Sequence, residues 1–304
     1  MKINSSELIK KMRDDMGLTQ SEMAARLYIE QRTLSRIETG KQKMDMWVFV
    51  SMMEIMGNPT EDFWLLYLET EEYEAYKQYR RLKKTLHNNN HDEKLELISK
   101  LESGAFTNKR FVKQFIAFVK TTALNKNISD AERLTQLQAA IRMSRPDFDE
   151  NAVADYRLNH NEVYILNDMA GTLYAVGEKE RGIALSQALV ASRENIQASE
   201  EDKAVLFPAI MSNLSTMLGQ TGRYKESLHY CETALKICRE NNNAMYIPVL
   251  LHNMASCMCL LGEVEAIWKP HLVRAYYCAY AIGNTNAGEI VKESAEKDFG
   301  IKKL

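Results

Sequence analysis

The stretch that decides the fold is LTQSEMAARLYIEQRTLSRIETGK, residues 18–41. Thr19 followed three residues later by Glu22 is the pattern of a capping box, which predicts that a helix begins here. After a short turn, a second helix over about 31–39 would end at Gly40, because glycine adopts the left-handed conformation without strain. The apolar side chains that these two helices would turn inward are Met23, Ala24, Leu27, Leu34 and Ile37.

Three further short helices are predicted beside these two. A serine at position 5 or 6 would cap a first helix, which would end at Gly17. A fourth helix would cover about residues 48–56, where apolar residues recur at helical spacing. Thr60 would cap a fifth helix after the turn at Asn58-Pro59. Five short helices in this order predict a compact α-helical N-terminal domain.

The composition also favours helices. The 304 residues include only 13 Gly and 5 Pro, fewer than the turns of sheet-rich folds need. With 45% hydrophobic and 26% charged residues, wholesale disorder is excluded, and no apolar run reaches the length of a membrane span. The formal charge of −2 excludes a strongly basic coat. An odd count of five cysteines and no apolar signal region are typical of a reduced, cytoplasmic protein.

From about residue 70 the sequence predicts about five pairs of amphipathic helices, closed by a helix near 286–298. Three of the pairs are self-similar and place a turn glycine between their helices, at Gly177, Gly222 and Gly262. The middle copy resembles a tetratricopeptide (TPR) pattern, and the other two are degenerate. We expect the segment Trp268-Lys269-Pro270 to interrupt the second helix of the last copy. The predicted domains are therefore 1–66, helix-turn-helix, and 67–304, an all-α solenoid of TPR-like repeats.

Residues 5–66 resemble the XRE/Cro-type helix-turn-helix, because the spacing, the small Ala24 and the E-x-G-K at 38–41 all fall in register. Tyr28 departs from the pattern, since many members have glycine at that turn. The resemblance implies that the second helix of the motif enters the major groove of double-stranded DNA. It also implies an internal ion pair between Arg13 and Glu38.

The DNA contacts implied by the resemblance fall into two groups. Arginine can bind guanine and glutamine can bind adenine through paired hydrogen bonds, whereas lysines and other amides neutralise or contact phosphates. The residues at base-reading positions and their flanks are Gln31, Arg32, Arg36, Thr33 and Ser35. The residues at phosphate-contacting positions are Gln20, Lys41 and Lys43. The alternative is that these side chains are only solvated residues on a helix surface.

The repeats offer a candidate peptide-binding groove. Solenoids line a concave surface with the first helix of each pair, and an asparagine there can hold an extended peptide through its amide. Asn213 and Asn253 lie nine residues before their turn glycines, and Asn167 lies ten before Gly177. The side chains expected on the same surface are Tyr164, Tyr174, Thr216, Gln220, His252 and Ser256. The alternative is that asparagine is merely common at this repeat position.

A helix-turn-helix followed by degenerate TPR pairs over about 300 residues resembles the Rgg, PlcR and PrgX type of quorum-sensing regulators, the RRNPP family. The resemblance implies a homodimer that binds operator DNA and a short signalling peptide. An alternative is a DNA-tethered scaffold whose solenoid docks a folded protein. We predict no enzymatic activity, because no catalytic motif is recognisable, and we predict no cofactor, no metal and no membrane partner.

Overall fold

The structure is a computed structural model that describes residues 5–45, 48–49, 51–52, 70–87, 90–104, 107–124 and 127–301. These residues form helices and connecting turns without a strand, which confirms the predicted all-α fold. The α-helices are α1 (Ser5–Asp15), α2 (Gln20–Leu27), α3 (Gln31–Glu38), α4 (Thr70–Lys84), α5 (His91–Ser103), α6 (Arg110–Val119), α7 (Asp130–Arg142), α8 (His160–Ala175), α9 (Lys179–Ala191), α10 (Glu200–Gln220), α11 (Tyr224–Glu240), α12 (Ile247–Leu260), α13 (Glu265–Ala281) and α14 (Thr285–Lys297). Lys120–Leu124 continues α6 as a π-helix.

The chain packs as two compact units. One comprises Met1–Ile116 with Gln197–Ser199, and the other comprises Ala117–Ile196 with Glu200–Leu304. The domain boundary predicted at 66/67 lies outside the described residues, so that division stays a prediction. Most of the predicted fourth helix and the whole of the predicted fifth also lie outside them; Val48, Phe49, Ser51 and Met52 are helical.

In the first unit, α2 and α3 form as the sequence predicts. The side chain of Thr19 accepts a hydrogen bond from the backbone N–H of Glu22 at 3.2 Å, and the Glu22 carboxylate accepts one from the N–H of Thr19 at 2.8 Å. The capping box is therefore confirmed. Tyr28 ends α2 in the left-handed conformation with φ 55°, where glycine would be unstrained. The side chains predicted to face inward, Met23, Ala24, Leu27, Leu34 and Ile37, are all buried.

In the second unit, consecutive helices pack as antiparallel pairs: α8 with α9, α10 with α11, and α12 with α13. In the first unit α4 packs against α5, and in the second the π-helix Lys120–Leu124 contacts α7 and α14 packs against α13. The order of the described helices thus agrees with the predicted helix pairs and closing helix. Gly182 permits the close approach of α8 and α9, because a Cβ there would lie 2.5 Å from the carbonyl oxygen of Ala170.

The prediction that residues 268–270 interrupt the last pair was wrong. Helix α13 runs without a break from Glu265 to Ala281 and contains Pro270. Pro270 is the sixth residue of this helix, so its missing N–H removes only one early hydrogen bond. Trp268 is buried and packs against Phe299, with ring centroids 5.0 Å apart, which holds this first part of α13 in place.

Candidate functional sites

The exposed side of α3 carries the polar residues predicted to contact DNA. Gln31, Arg32 and Arg36 are exposed, and Thr33 and Ser35 are half-buried beside them. Lys41 and Lys43 are exposed in the segment that follows α3. The opposite side of α3 is fixed in the core, because Leu34 and Ile37 are almost completely buried. The helix thus presents one polar surface in a fixed orientation, and the individual contacts with DNA stay a prediction.

A buried ion pair ties α1 to α3. Arg13 donates to the carboxylate of Glu38 from Nε at 2.6 Å and from Nη2 at 3.0 Å, and both side chains are buried. Arg13 also donates to the carbonyl oxygen of Leu18 at 2.7 Å, at the start of the segment before α2. The predicted internal ion pair is confirmed, and it links three parts of the motif.

Gln20, predicted to contact a phosphate, also belongs to this network. Its Nε2 donates to Glu38 at 2.8 Å, which occupies one of its two N–H groups and leaves the phosphate contact a prediction. Burial alone would raise the pKa of the Glu38 carboxyl group. Hydrogen bonds from Arg13 and Gln20, together with the charge of Arg13, outweigh burial and hold that pKa below its ordinary value. Glu38 is therefore a charged, fully paired group.

The second site is built by α8, α10 and α12, the first helices of three successive pairs. α8 packs against α10, and α10 against α12. We call the surface that these three helices form the first-helix face. It contains the three asparagines singled out from the sequence, of which Asn213 is exposed while Asn167 and Asn253 are half-buried.

Hydrogen bonds connect the three asparagines to neighbouring helices. Asn213 Nδ2 donates to Asn167 Oδ1 at 3.3 Å, which joins α10 to α8. Asn253 Nδ2 donates to Ser215 Oγ and Thr216 Oγ1, each at 2.9 Å, which joins α12 to α10. Among the described residues, no hydrogen bond uses the NH₂ group of Asn167 or the carbonyl oxygen of Asn213. These two groups, one donor and one acceptor, are the pair that an extended peptide backbone could use.

The other residues predicted for the groove are distributed along the three helices. Thr216 joins the Asn253 contact, whereas Gln220 is exposed and Ser256 half-buried at other turns. Tyr164 stacks on Phe118 with ring centroids 6.0 Å apart, and burial raises the pKa of its hydroxyl group. Tyr174 packs against the apolar cluster formed by Ile183, Leu214, Met217 and Leu218. The structure therefore brings together Asn167 with Asn213, and Asn253 with Thr216, and it places the two tyrosines in packing contacts.

His252 is turned towards the last helix. Its Nε2 lies 2.9 Å from Ser294 Oγ, and that hydroxyl donates to Asp298 at 2.7 Å. Burial lowers the pKa of His252. The side chain thus connects α12 to α14, and a contact of His252 with a peptide stays a prediction.

Asp168 adjoins Asn167 on α8 and is not among the site residues predicted from the sequence. Its Oδ2 oxygen is fully buried and accepts no hydrogen bond within the described residues. Burial raises the pKa of this carboxyl group to about 6, against an opposing effect from the charge of Arg133. The signal was available, because Asp168 lies nine residues before Gly177, as Asn213 and Asn253 lie nine before Gly222 and Gly262.

Metal, thiol and membrane-spanning sites are the other possibilities in the described part of the chain. No group of three or more His, Cys, Asp and Glu residues is arranged to hold a metal ion there. The five cysteines are free thiols, and burial raises the pKa of Cys231 to about 12. None of the described helices combines the length and the apolar run that a membrane crossing requires.

Two segments of the chain match known protein families. Residues 9–61 match the family described as helix-turn-helix, and this range includes most of α1 and all of α2 and α3. Residues 209–244 match the family described as tetratricopeptide repeat, and this range includes the second half of α10 and all of α11. No curated protein sequence matches the chain.

Solved structures match nearly the whole chain. The structure of Bacillus thuringiensis PlcR in complex with the peptide PapR7 and DNA has a TM-score of 0.61 at 18% identity, covering 95% of this chain and 98% of that one. The chain has the fold of PlcR. ComR from S. thermophilus in complex with DNA and its signalling peptide ComS has a TM-score of 0.52 at 16% identity, covering 96% of this chain and 99% of that one. The SHP pheromone receptor Rgg2 of Streptococcus dysgalactiae has a TM-score of 0.50 at 15% identity, covering 96% of this chain and 99% of that one.

Proposed function

We propose that this protein is a transcription regulator that binds double-stranded operator DNA through α3 and is controlled by a short signalling peptide bound on the first-helix face. The observation that carries the proposal is the Asn213–Asn167 amide contact, which leaves a donor and an acceptor unused in a chain that also has a helix-turn-helix. Support comes from PlcR and ComR, which share the fold and were solved in complex with DNA and peptides.

The mechanism follows from the two sites. Gln31, Arg32 and Arg36 read base edges in the major groove, while Gln20, Lys41 and Lys43 contact phosphates. A single head with so few basic contacts binds DNA weakly, so the protein acts as a homodimer on two half-sites. The peptide changes the spacing of the two heads and thereby the affinity for the operator. The protein works in the cytoplasm, where the DNA is, and it is not an enzyme.

Isothermal titration of the full chain with short synthetic peptides, including those encoded beside its gene, tests the peptide part. The expected result is saturable binding of at least one peptide, weakened about 10-fold by Asn213→Ala, since the peptide then loses a hydrogen bond to the Asn213 amide. The control is Asn151→Ala, which removes an exposed asparagine from the short 3-10 helix Glu150–Asp155 and leaves peptide binding unchanged. Binding of no peptide, together with capture of a folded partner by this surface, would favour the scaffold instead.

A further inference from the structure

Charge is distributed unequally between the helices of the three pairs. The first helices α8, α10 and α12 carry five carboxylates, Glu162, Asp168, Glu200, Glu201 and Asp202, and a single lysine, Lys203. Lys203 is buried and pairs with Glu200 at 3.0 Å, so it is not available to a ligand. Three of the carboxylates also have partners: Glu162 pairs with Arg145, Glu200 pairs with Arg193 as well as Lys203, and Asp202 lies 3.4 Å from His160. Besides Glu201, which is exposed in the first turn of α10, Asp168 is the remaining carboxylate, and it forms no ion pair with another described residue.

Asp168 occupies the repeat position that asparagine occupies in the next two pairs. It lies nine residues before Gly177, the offset that separates Asn213 from Gly222 and Asn253 from Gly262. An amide at this position can donate and accept hydrogen bonds, but an ionised carboxylate can only accept them. At the first pair, the ligand must therefore supply a hydrogen-bond donor to Asp168. A positively charged donor satisfies a carboxylate best.

Among the described residues, no hydrogen-bond donor meets this requirement at Asp168 Oδ2. Its Oδ2 is fully buried without a hydrogen bond, which is costly for an ionised oxygen. Arg133 on α7 is near enough to act on it electrostatically, but Arg133 Nε is itself buried without a hydrogen-bond partner. The two groups thus face each other's charge without forming a hydrogen bond through these atoms. A positive charge brought by a ligand to this half-buried side chain would stabilise its ionised form.

We infer that the ligand of the first-helix face is a cationic peptide, and that Asp168 binds its positive charge. The inference rests on the proposed function and adds the chemical class of the peptide. The charge is an ammonium or guanidinium group, supplied either by a lysine or arginine side chain or by the free amino terminus. A peptide with a carboxylate at this point would instead meet the like charge of Asp168 and lose affinity.

Peptide libraries test this on the full-length protein. Each library consists of seven-residue peptides with degenerate apolar positions and one fixed residue, which is lysine, norleucine or glutamate, and each is made with a free and with an acetylated amino terminus. Retention on immobilised protein is quantified by mass spectrometry. We expect an enrichment of about 10-fold or more, as for a hydrogen bond to a charged group, either of the lysine sets over the norleucine sets or of the free-amino sets over the acetylated sets. Loss of enrichment on acetylation identifies the amino terminus, and loss on replacing lysine by norleucine identifies the side chain.

The isosteric variant Asp168→Asn assigns the preference to this residue. We expect it to retain neutral peptides and to lose the preference for cationic ones, while Asp155→Asn, an exposed control, behaves as the wild type. The inference would be overturned if the wild type retained the lysine and norleucine sets equally and also the free and acetylated sets equally, or if a preference for positive charge survived in Asp168→Asn. An equal loss of all peptides in that variant would make Asp168 a structural partner of Arg133 and also overturn it. Retention of no peptide in any library would instead reject the proposed function.

Discussion

The substitution Glu38→Gln tests how the orientation of α3 is fixed. It keeps the size of the side chain but removes the charge on which Arg13 Nε, Arg13 Nη2 and Gln20 Nε2 converge at 2.6, 3.0 and 2.8 Å. Arg13 would then remain a buried cation opposite a neutral amide. Removing one partner of a buried pair costs about 3–5 kcal/mol.

The lower end of this range applies here. Arg13 keeps its ion pair with Asp14 at 2.7 Å and its hydrogen bond to the carbonyl oxygen of Leu18, so its charge is not left without partners. We therefore expect a loss of about 3 kcal/mol in the free energy of local unfolding. Such a loss raises the population of the open state about 150-fold, and specific DNA binding should weaken with it.

Amide hydrogen exchange on the full chain measures this locally. In Glu38→Gln, the helical amides of α1, α2 and α3 should exchange about 100-fold faster or more, while those of α8 to α14 should keep their rates. The control is Glu293→Gln, which removes the exposed pair between Glu293 and Lys297 at 3.4 Å and should cost less than about 1 kcal/mol. An acceleration below about 5-fold in Glu38→Gln would refute the claim that this ion pair fixes α3.

Three further predictions concern single residues. Arg36→Ala should weaken binding to a selected operator by about 1–3 kcal/mol and relax the preference at one base in a gel-shift competition; an equal loss on random DNA would show a phosphate contact only. Gly182→Ala should lower the free energy of unfolding in urea by about 1–3 kcal/mol, because its Cβ would lie 2.5 Å from the carbonyl oxygen of Ala170, and an unchanged urea midpoint would contradict this. The raised pKa of Asp168 means that the folded state binds its proton more tightly than the unfolded state. The buried, ionised carboxylate of Asp168 therefore lowers the free energy of unfolding above pH 6, and this cost disappears as the pH falls from about 6 towards 4. Asp168→Asn should be the more stable protein at pH 7.5, by up to about 3 kcal/mol, and the difference should shrink at pH 4.5; equal urea midpoints at both pH values would contradict it.

Local patterns in the sequence were sufficient to predict the helices α2 and α3. The capping box at Thr19 and Glu22 and the inward positions of Leu34 and Ile37 depend on neighbours within a few residues, and all are present in the structure. The pair of Arg13 and Glu38, 25 residues apart, could be predicted only because the motif resembles a known fold.

The features that the sequence left open depend on packing between distant helices. Pro270 was expected to break a helix, but the surrounding contacts hold α13 together. His252 was expected in the peptide groove, yet it contacts Ser294, 42 residues away in α14. The burial of Asp168 depends on how α7 and α8 pack, which the single sequence does not specify.

The central claim is that a bound peptide controls DNA binding. The most direct test is the affinity of the full-length protein for its selected operator duplex, measured by fluorescence anisotropy with and without a saturating concentration of the best peptide from the titrations. We expect the bound peptide to change the affinity for the operator about 5- to 150-fold. Because the coupling between two sites is reciprocal, bound operator DNA should change the affinity for the peptide by the same factor. Equal operator affinities with and without bound peptide would contradict it.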